Sequence, residues 1–182
     1  HGFGVSRKDK RFFPSSLNGI RKDDLKIDAY IGTFGKAIGT FGAFISGSSD
    51  LIDLLIQKSK PYIYSTALPP ALVNTTHDSI NYIMRNKALA EKLEKNIILF
   101  KDLASNNDIN INISDSPIQT IHIGDPNKVM DIHREALRSN IYIQPIRYPT
   151  VPINKELLRI NLTSDHSKKQ IQSLIEFLKT IR

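Results

Sequence analysis

The chain has 182 residues, of which 40% are hydrophobic and 24% charged, close to the proportions of ordinary globular domains. It contains no cysteine, which excludes disulfides, thiolate metal ligands and a cysteine nucleophile. The formal net charge is +7, but the basic residues are spread along the chain, so we expect no nucleic-acid partner. No apolar run reaches the ~18 residues that a bilayer requires, and no secretory leader is recognisable, so we expect a cytoplasmic protein without membrane contact.

The first part of the chain predicts a hairpin, a short helix and then a long helix. Segments 28–34 and 41–46 are apolar and are predicted to be strands joined by a turn. A helix is expected from Asp50 to Lys58, capped by Ser48 or Ser49 and ended by Pro61. Residues 71–105 predict one long helix.

We interpret that long helix as a connector, which divides the chain into segments 1–70, 71–105 and 106–182. The third segment alternates short apolar runs with helical patterns and predicts an α+β lobe with helices on one side of a small sheet. Strands are expected at 110–113, 118–123, 141–146 and 157–162, and helices at 126–140 and 167–181.

Residues 33–42, with the sequence TFGKAIGTFG, place a single lysine among small residues at the predicted turn. An amine that attacks a carbonyl must be neutral and sterically open, and neighbouring glycines allow a bulky ligand to approach the backbone. The segment therefore has the features of a Schiff-base lysine site. A plain glycine-rich turn that carries a solvated lysine is the alternative.

This segment resembles the lysine-attachment signature of the class II pyridoxal-phosphate (PLP) aminotransferase group. Two further segments, IYSTALPPA at 63–71 and IRYPTVP at 146–152 followed by LRINLT at 158–163, are similar to those of the α-oxoamine synthases, above all the biotin-biosynthetic branch. The resemblance covers the whole chain. It implies an α/β fold, the fold type I PLP-dependent transferase, with the end of the large domain and the α+β small carboxy-terminal domain present.

The resemblance also implies roles for the residues around the cofactor. Lys36 would form the Schiff base with PLP and act as acid and base at the α carbon of the substrate. Thr33 would donate its hydroxyl to the cofactor phosphate, and His1 would hydrogen-bond the phenolic oxygen of the cofactor. Ser65 and Thr66 would reach the phosphate bound by the neighbouring subunit of a homodimer. Capping of the following helix is the alternative role of these two hydroxyls.

For the substrate, the resemblance implies that Arg147 binds the amino-acid carboxylate with its planar guanidinium fork. Thr150 resembles a position that contacts substrate, although it could also cap its own loop. Arg159 lies in the middle of a predicted strand, where functional and structural roles are equally open. The remaining histidines have no metal-like spacing, and we expect no metal site; they are His77, His122, His133 and His166.

The reaction implied is the decarboxylative condensation of L-alanine with a pimeloyl thioester, carried by acyl carrier protein or coenzyme A. Two alternatives stay open: a sister synthase of the 2-amino-3-ketobutyrate ligase or 5-aminolevulinate synthase type, and a non-catalytic module. The module is considered because the family's ring-pairing aspartate, phosphate-binding glycine turn and stacking histidine would precede His1. We therefore expect the chain to be the carboxy-terminal half of a longer protein.

Overall fold

The computed structural model describes residues 27–112 and 114–181, which fall into two compact units. The first unit ends at Lys87 and the second begins at Ala88. Helices and strands follow along the chain as β1 (Ala29–Thr33), β2 (Ala43–Gly47), α1 (Ser49–Lys58), α2 (Lys60–Ile63), α3 (Pro70–Arg85), α4 (Lys87–Asn106), β3 (Ile118–His122), α5 (Pro126–Arg138), β4 (Gln144–Ile146), β5 (Leu157–Asn161) and α6 (Lys168–Thr180).

The first unit opens with the predicted hairpin, in which β1 pairs antiparallel with β2 from Ala29 opposite Gly47 to Thr33 opposite Ala43. The predicted helix α1 is also confirmed, and its cap is Ser48, whose hydroxyl accepts from the amide of Leu51 at 3.2 Å. The prediction that Pro61 ends this helix is wrong. The helix stops at Lys58, and Pro61 lies in the first turn of α2, where a missing amide proton costs nothing.

The single helix predicted for residues 71–105 is two helices, α3 and α4, interrupted at Asn86. This residue has φ −106° and ψ 72°, outside the helical region. Its side-chain amide donates to the carbonyl of Tyr82 at 2.7 Å, and its backbone amide donates to the same oxygen at 3.1 Å. Asparagine ends the helix here because its short amide competes for carbonyls that the next turn would otherwise use.

The second unit contains a three-stranded antiparallel sheet in the order β3-β5-β4, as predicted for an α+β lobe. On the central strand, Leu158 and Ile160 are buried while the residues between and beside them are less so, which is the alternation of a sheet covered on one face. Helices α4, α5 and α6 supply most of the remaining core, through Ile97, Phe100, Ala104, Val129, Ile132, Ala136, Ile171, Ile175, Phe177 and Leu178.

The strand predicted at 110–113 is not formed as a ladder. Among the residues described there, only Asn112 pairs, in an isolated antiparallel bridge with Thr120, and residue 113 lies outside the described ranges. The side-chain amide of Asn112 also donates to the hydroxyl of Thr120 at 3.0 Å. Asparagine is depleted in strands because its side chain competes with the backbone ladder, and two asparagines alternate through this segment.

Both later helices have strong amino-terminal caps. The Asp125 carboxylate accepts from the amides of Asn127 at 2.7 Å and Lys128 at 2.9 Å. The amide of Lys128 and then that of Asn127 hold the pKa of this carboxyl below its ordinary value. Helix α6 begins with a reciprocal capping box between Ser167 and Gln170. Within the described ranges, no helix is both long enough and apolar enough to span a bilayer.

We predict that Phe100→Ala destabilises the second unit by about 3–5 kcal/mol, because Phe100 is fully buried among α4, the sheet and the other helices. The free energy of unfolding, measured by urea denaturation, checks this. Ile98→Ala, on the same helix but half-exposed, is the matched control and should cost less than about 1 kcal/mol. Equal losses in the two variants would contradict the core described above.

Candidate active site

Lys36 lies on the turn that joins β1 to β2, and the backbone hydrogen bonds of the turn fix its position. The amide of Phe34 donates to Gly42 at 2.9 Å and that of Thr40 donates to Phe34 at 3.0 Å, which extends the strand pairing into the turn. Inside this frame the amide of Gly39 donates to the carbonyl of Lys36 at 2.9 Å, closing a tight turn. Lys36 is exposed.

Two glycines of the turn have backbone conformations that side chains rarely adopt. Gly39 has φ +73° and Gly42 has φ +106°. A Cβ at Gly42 would lie 3.0 Å from Cδ1 of Leu68, whereas a Cβ at Gly39 would meet no atom within 4 Å. The turn is thus tightly packed on one side of Gly42 and open at Gly39, three residues after the lysine.

The Lys36 ammonium makes no hydrogen bond or ion pair with any other described residue. It therefore has no ion-pairing or helix-capping role among those residues, which fits both the Schiff-base lysine and the solvated lysine of a plain turn. An exposed primary amine without a partner is also the nucleophile that an aldehyde cofactor requires. The residues present therefore fit such a group.

Thr33 ends β1 one residue before the turn and is half-buried, opposite Ala43. The other face of the hairpin carries an aromatic cluster around Phe44. Phe34 stacks on Phe44 with ring centroids 5.5 Å apart, and Tyr30 meets it edge-on at 5.6 Å. Partial burial there raises the pKa of the Tyr30 hydroxyl.

Ser65 and Thr66 lie between α2 and α3 and are both exposed. Their segment lies beside the lysine turn, because Leu68 from the same segment packs against Gly42. The structure therefore brings together Lys36, Thr33 and the segment with these two hydroxyls within the first unit. His1, the remaining predicted cofactor ligand, lies outside the described residues.

Helix α3 contributes two contacts to the turn that sequence reasoning missed. The hydroxyls of Thr76 and Thr40 lie 2.8 Å apart, and the hydroxyl of Ser79 donates to the carbonyl of Ile38 at 2.5 Å. Ile38 and Thr76 are both buried. The sequence signal that could have indicated these contacts is the i, i+3 spacing of Thr76 and Ser79, which places both hydroxyls on one face of a helix.

In the second unit, Arg147 directly follows β4 and begins the loop that contains Thr150. The carbonyl of Arg147 accepts from the amide of Thr150 at 2.9 Å and from that of Val151 at 3.3 Å. This loop also contains a cis peptide bond between Tyr148 and Pro149. The structure thus places Arg147 and Thr150 in one turn, with both side chains exposed.

Arg159 lies on the central strand of the same sheet, between Thr120 of β3 and Gln144 of β4. Its Nε donates to Oδ1 of Asn161 at 3.1 Å, so its stem follows the strand rather than pointing freely to solvent. It is half-buried on the face opposite Leu158. The geometry provides a second guanidinium on a rigid element of this unit.

The four histidines without metal-like spacing each have a hydrogen-bond partner in the structure. His133, for example, meets the carbonyl of Ile143 at 2.8 Å, and His166 accepts from the amide of Thr163 at 3.1 Å. Across residues 27–112 and 114–181, no three histidine, aspartate or glutamate side chains group in a way that could hold a metal ion.

The lysine on a hairpin turn and the α+β lobe agree with the class of protein expected from the sequence, the PLP-dependent transferases, and comparison with known families supports that class. The family model of aminotransferase class I and II matches residues 4–178, so the chain belongs to that family. The structural neighbours confirm the expected α/β fold of the PLP-dependent transferases.

Among curated proteins, the chain is 35% identical over 181 residues to an 8-amino-7-oxononanoate synthase of Saccharophagus degradans, covering 100% of this chain and 45% of that protein. A crystal structure of 8-amino-7-oxononanoate synthase from Francisella tularensis superposes with a TM-score of 0.72 at 27% identity, covering 82% of this chain and 44% of that one. SPT (serine palmitoyltransferase), solved with its PLP internal aldimine, gives a TM-score of 0.80 at 24% identity, covering 94% and 42%. The chain spans less than half the length of each of these proteins.

We predict that Gly42→Ala disrupts the lysine turn more than Gly39→Ala. Both substitutions force a side chain into positive φ, at a cost of about 1–2 kcal/mol, but only the alanine at position 42 also meets Leu68. Thermal unfolding of the two variants provides the comparison. Gly39→Asn, which tolerates the left-handed region, should recover most of the loss at position 39. A Gly42→Ala protein as stable as wild type would contradict this description of the turn.

Proposed function

We propose that the chain is the carboxy-terminal part of a PLP-dependent α-oxoamine synthase that makes 8-amino-7-oxononanoate for biotin biosynthesis. The observation that supports this most directly is the exposed Lys36 on a hydrogen-bonded turn, whose amine has no partner among the described residues. The names of the relatives support the choice of reaction. In the same proposal, segment 1–70 belongs to the large domain, 71–105 connects it to the small domain 106–182, and the enzyme is a cytoplasmic homodimer.

The reaction joins L-alanine to a pimeloyl thioester. A bond forms between the α carbon of alanine and the acyl carbon of the thioester, the bond from the acyl carbon to sulfur breaks, and the alanine carboxylate leaves as carbon dioxide. The products are 8-amino-7-oxononanoate, carbon dioxide and the free thiol of the carrier. When bound, PLP supplies an electron-withdrawing ring that stores the electron pair released at the α carbon.

The residues of the first unit hold the cofactor and handle the proton. The Lys36 amine would attach the cofactor and would take and return the proton at the α carbon of alanine. The hydroxyls of Thr33, Ser65 and Thr66 would donate to phosphate oxygens, the last two at the site of the partner subunit. His1 would donate to the phenolic oxygen of the cofactor. No described carboxylate pairs with Lys36, which leaves its amine available for these roles.

The residues of the second unit recognise the substrate. The planar fork of Arg147 binds the alanine carboxylate in two parallel hydrogen bonds, and the turn hydrogen bond from Thr150 sets the direction of the loop. Thr150 itself contacts substrate from the same turn. The net charge of +7 favours acidic partners by electrostatic attraction, such as acyl carrier protein or coenzyme A.

The substrate assignment is tested by thiol and carbon dioxide release from the full-length protein with PLP and pimeloyl-coenzyme A. Alanine should support turnover at least tenfold better than glycine or serine at equal concentration. Turnover with glycine and none with alanine would indicate a sister synthase. Binding of PLP with no release from any amino acid would favour the non-catalytic alternative.

Lys36→Ala should abolish the near-visible absorbance band that PLP gains on attachment and lower turnover by about 10³-fold, because both the attachment point and the general acid–base group are lost. Difference absorbance spectra and initial rates provide the measurement. Lys60→Ala, which removes another exposed lysine of the same unit, is the matched control and should leave both unchanged. A retained band in the Lys36 variant would refute its role.

Arg147→Gln should raise the KM for alanine by about 10- to 100-fold, as expected when a charge-assisted hydrogen bond worth about 1.5–3 kcal/mol is lost. The KM for the thioester should stay within about twofold. Arg147→Lys should restore only part of the affinity, because an ammonium cannot offer the two-pronged geometry. Arg138→Gln, at the exposed end of α5, controls for the change in net charge. An unchanged KM for alanine in the Arg147 variant would refute the role of Arg147 in binding the carboxylate and would make Arg159 the next candidate for that role.

A further inference from the structure

We propose that Ser79 and Thr76 of α3 are positioning residues for Lys36. This inference rests on the proposed function of Lys36 as the cofactor-binding amine, and it assigns roles to two residues that touch neither cofactor nor substrate. They lie three residues apart on a helix, so their side chains project from the same face. Both reach the lysine turn, which is more than 35 residues away in sequence.

The two contacts hold the residues on either side of Gly39. Ser79 donates to the backbone carbonyl of Ile38, and the hydroxyl of Thr76 lies 2.8 Å from that of Thr40. Thr76 Oγ1 is also 2.8 Å from the carbonyl oxygen of Leu72, one turn earlier in α3. This second contact restricts the rotamer of the Thr76 side chain. Ile38 is only 4% exposed, which shields the Ser79 contact from water.

These contacts matter because Gly39 itself has little packing around it. A Cβ at Gly39, which has φ +73°, would meet no atom within 4 Å, and glycine is the residue with the widest choice of backbone conformations. The amide of Gly39 is also the donor to the carbonyl of Lys36. Anchoring both neighbours of Gly39 therefore fixes the backbone that carries the lysine.

Lys36 has no side-chain partner among the described residues, so its direction depends on that backbone. A reacting group displaced by about 1 Å can lose about 10²-fold in rate. Active sites generally avoid this loss of rate by holding the reacting side chain in place with neighbouring residues that are themselves rigid. The hydroxyls of α3 provide such support from one side of the turn.

The test uses Ser79→Ala and Thr76→Val in the full-length protein without cofactor. Hydrogen exchange, followed by mass spectrometry on peptides that span residues 33–42, reports the amides of Gly39 and Thr40. Loss of one anchoring hydrogen bond should speed their exchange by about 3- to 10-fold. Thr76→Ser, which keeps the hydroxyl, should restore slow exchange.

Two control variants separate anchoring from the general effect of removing a hydroxyl. Thr75→Val removes a hydroxyl that bonds only to the carbonyl of Ala71 within α3, at 2.8 Å. Ser173→Ala removes the equivalent bond to Lys169 in α6, at 3.0 Å. Neither control should change the rate of amide hydrogen exchange in residues 33–42. The proposal that Ser79 and Thr76 anchor the turn would be refuted by equally fast exchange in the controls. It would also be refuted by unchanged exchange in Ser79→Ala and Thr76→Val.

A second measurement connects the anchoring to Lys36. With PLP added, Ser79→Ala and Thr76→Val should attach the cofactor several-fold more slowly and lower kcat by about tenfold, with the KM for alanine unchanged. Faster exchange with unchanged cofactor attachment would mean that the two residues only stabilise the fold. That result would refute the positioning role and leave the proposed function intact. If wild-type protein did not take up PLP at Lys36, both the proposed function and the positioning role would be refuted.

Discussion

The hydrogen-bonded turn between β1 and β2 is the constraint on which the first unit depends. It has two glycines at positive φ, and a Cβ at Gly42 would approach Cδ1 of Leu68 to 3.0 Å, so that Leu68 would have to shift. Because the pair from Phe34 to Gly42 continues the register of the hairpin, the turn is an extension of the sheet rather than a loose loop. The lysine is carried on this frame with its amine unpaired among the described residues.

The two units are stabilised in different ways. The second has a continuous core in which three helices cover one face of a small sheet. In the first unit α1 and α2 bury no residue and α3 buries only Thr76, while several large apolar side chains are exposed, among them Ile31, Phe41, Tyr62, Tyr64 and Tyr82. Exposed apolar side chains are a common feature of surfaces that contact other protein. The chain spans less than half of its curated relatives, and those relatives therefore have further sequence that could form such contacts.

Much of the fold was predictable because it depends on local signals. Ser48 before an apolar helical pattern fixed the start of α1, and Asp125 and Ser167 mark the starts of α5 and α6 with capping side chains. The predicted elements that proved wrong are those where a side-chain amide competes with the backbone for hydrogen bonds. Asn86 breaks a helix that hydrophobic periodicity extends through it, and Asn112 leaves a single bridge where the apolar pattern suggested a strand.

The candidate site was predictable only in part. The residue types and spacing of the segment around Lys36 carried the resemblance, as did the loop around Arg147, since both are contiguous in sequence. The contacts from Thr76 and Ser79 join two segments that lie far apart in the sequence. Periodicity is analysed within one segment at a time, so only the three-dimensional structure reveals these contacts.

The central claim is that Lys36 is the attachment point of PLP. Borohydride reduction of the full-length protein after incubation with PLP, followed by peptide mapping, tests it directly. The account predicts a pyridoxyl phosphate adduct on the peptide that contains Lys36, at close to one per chain. An adduct spread over exposed lysines such as Lys58 and Lys60, or no adduct at all, would contradict it.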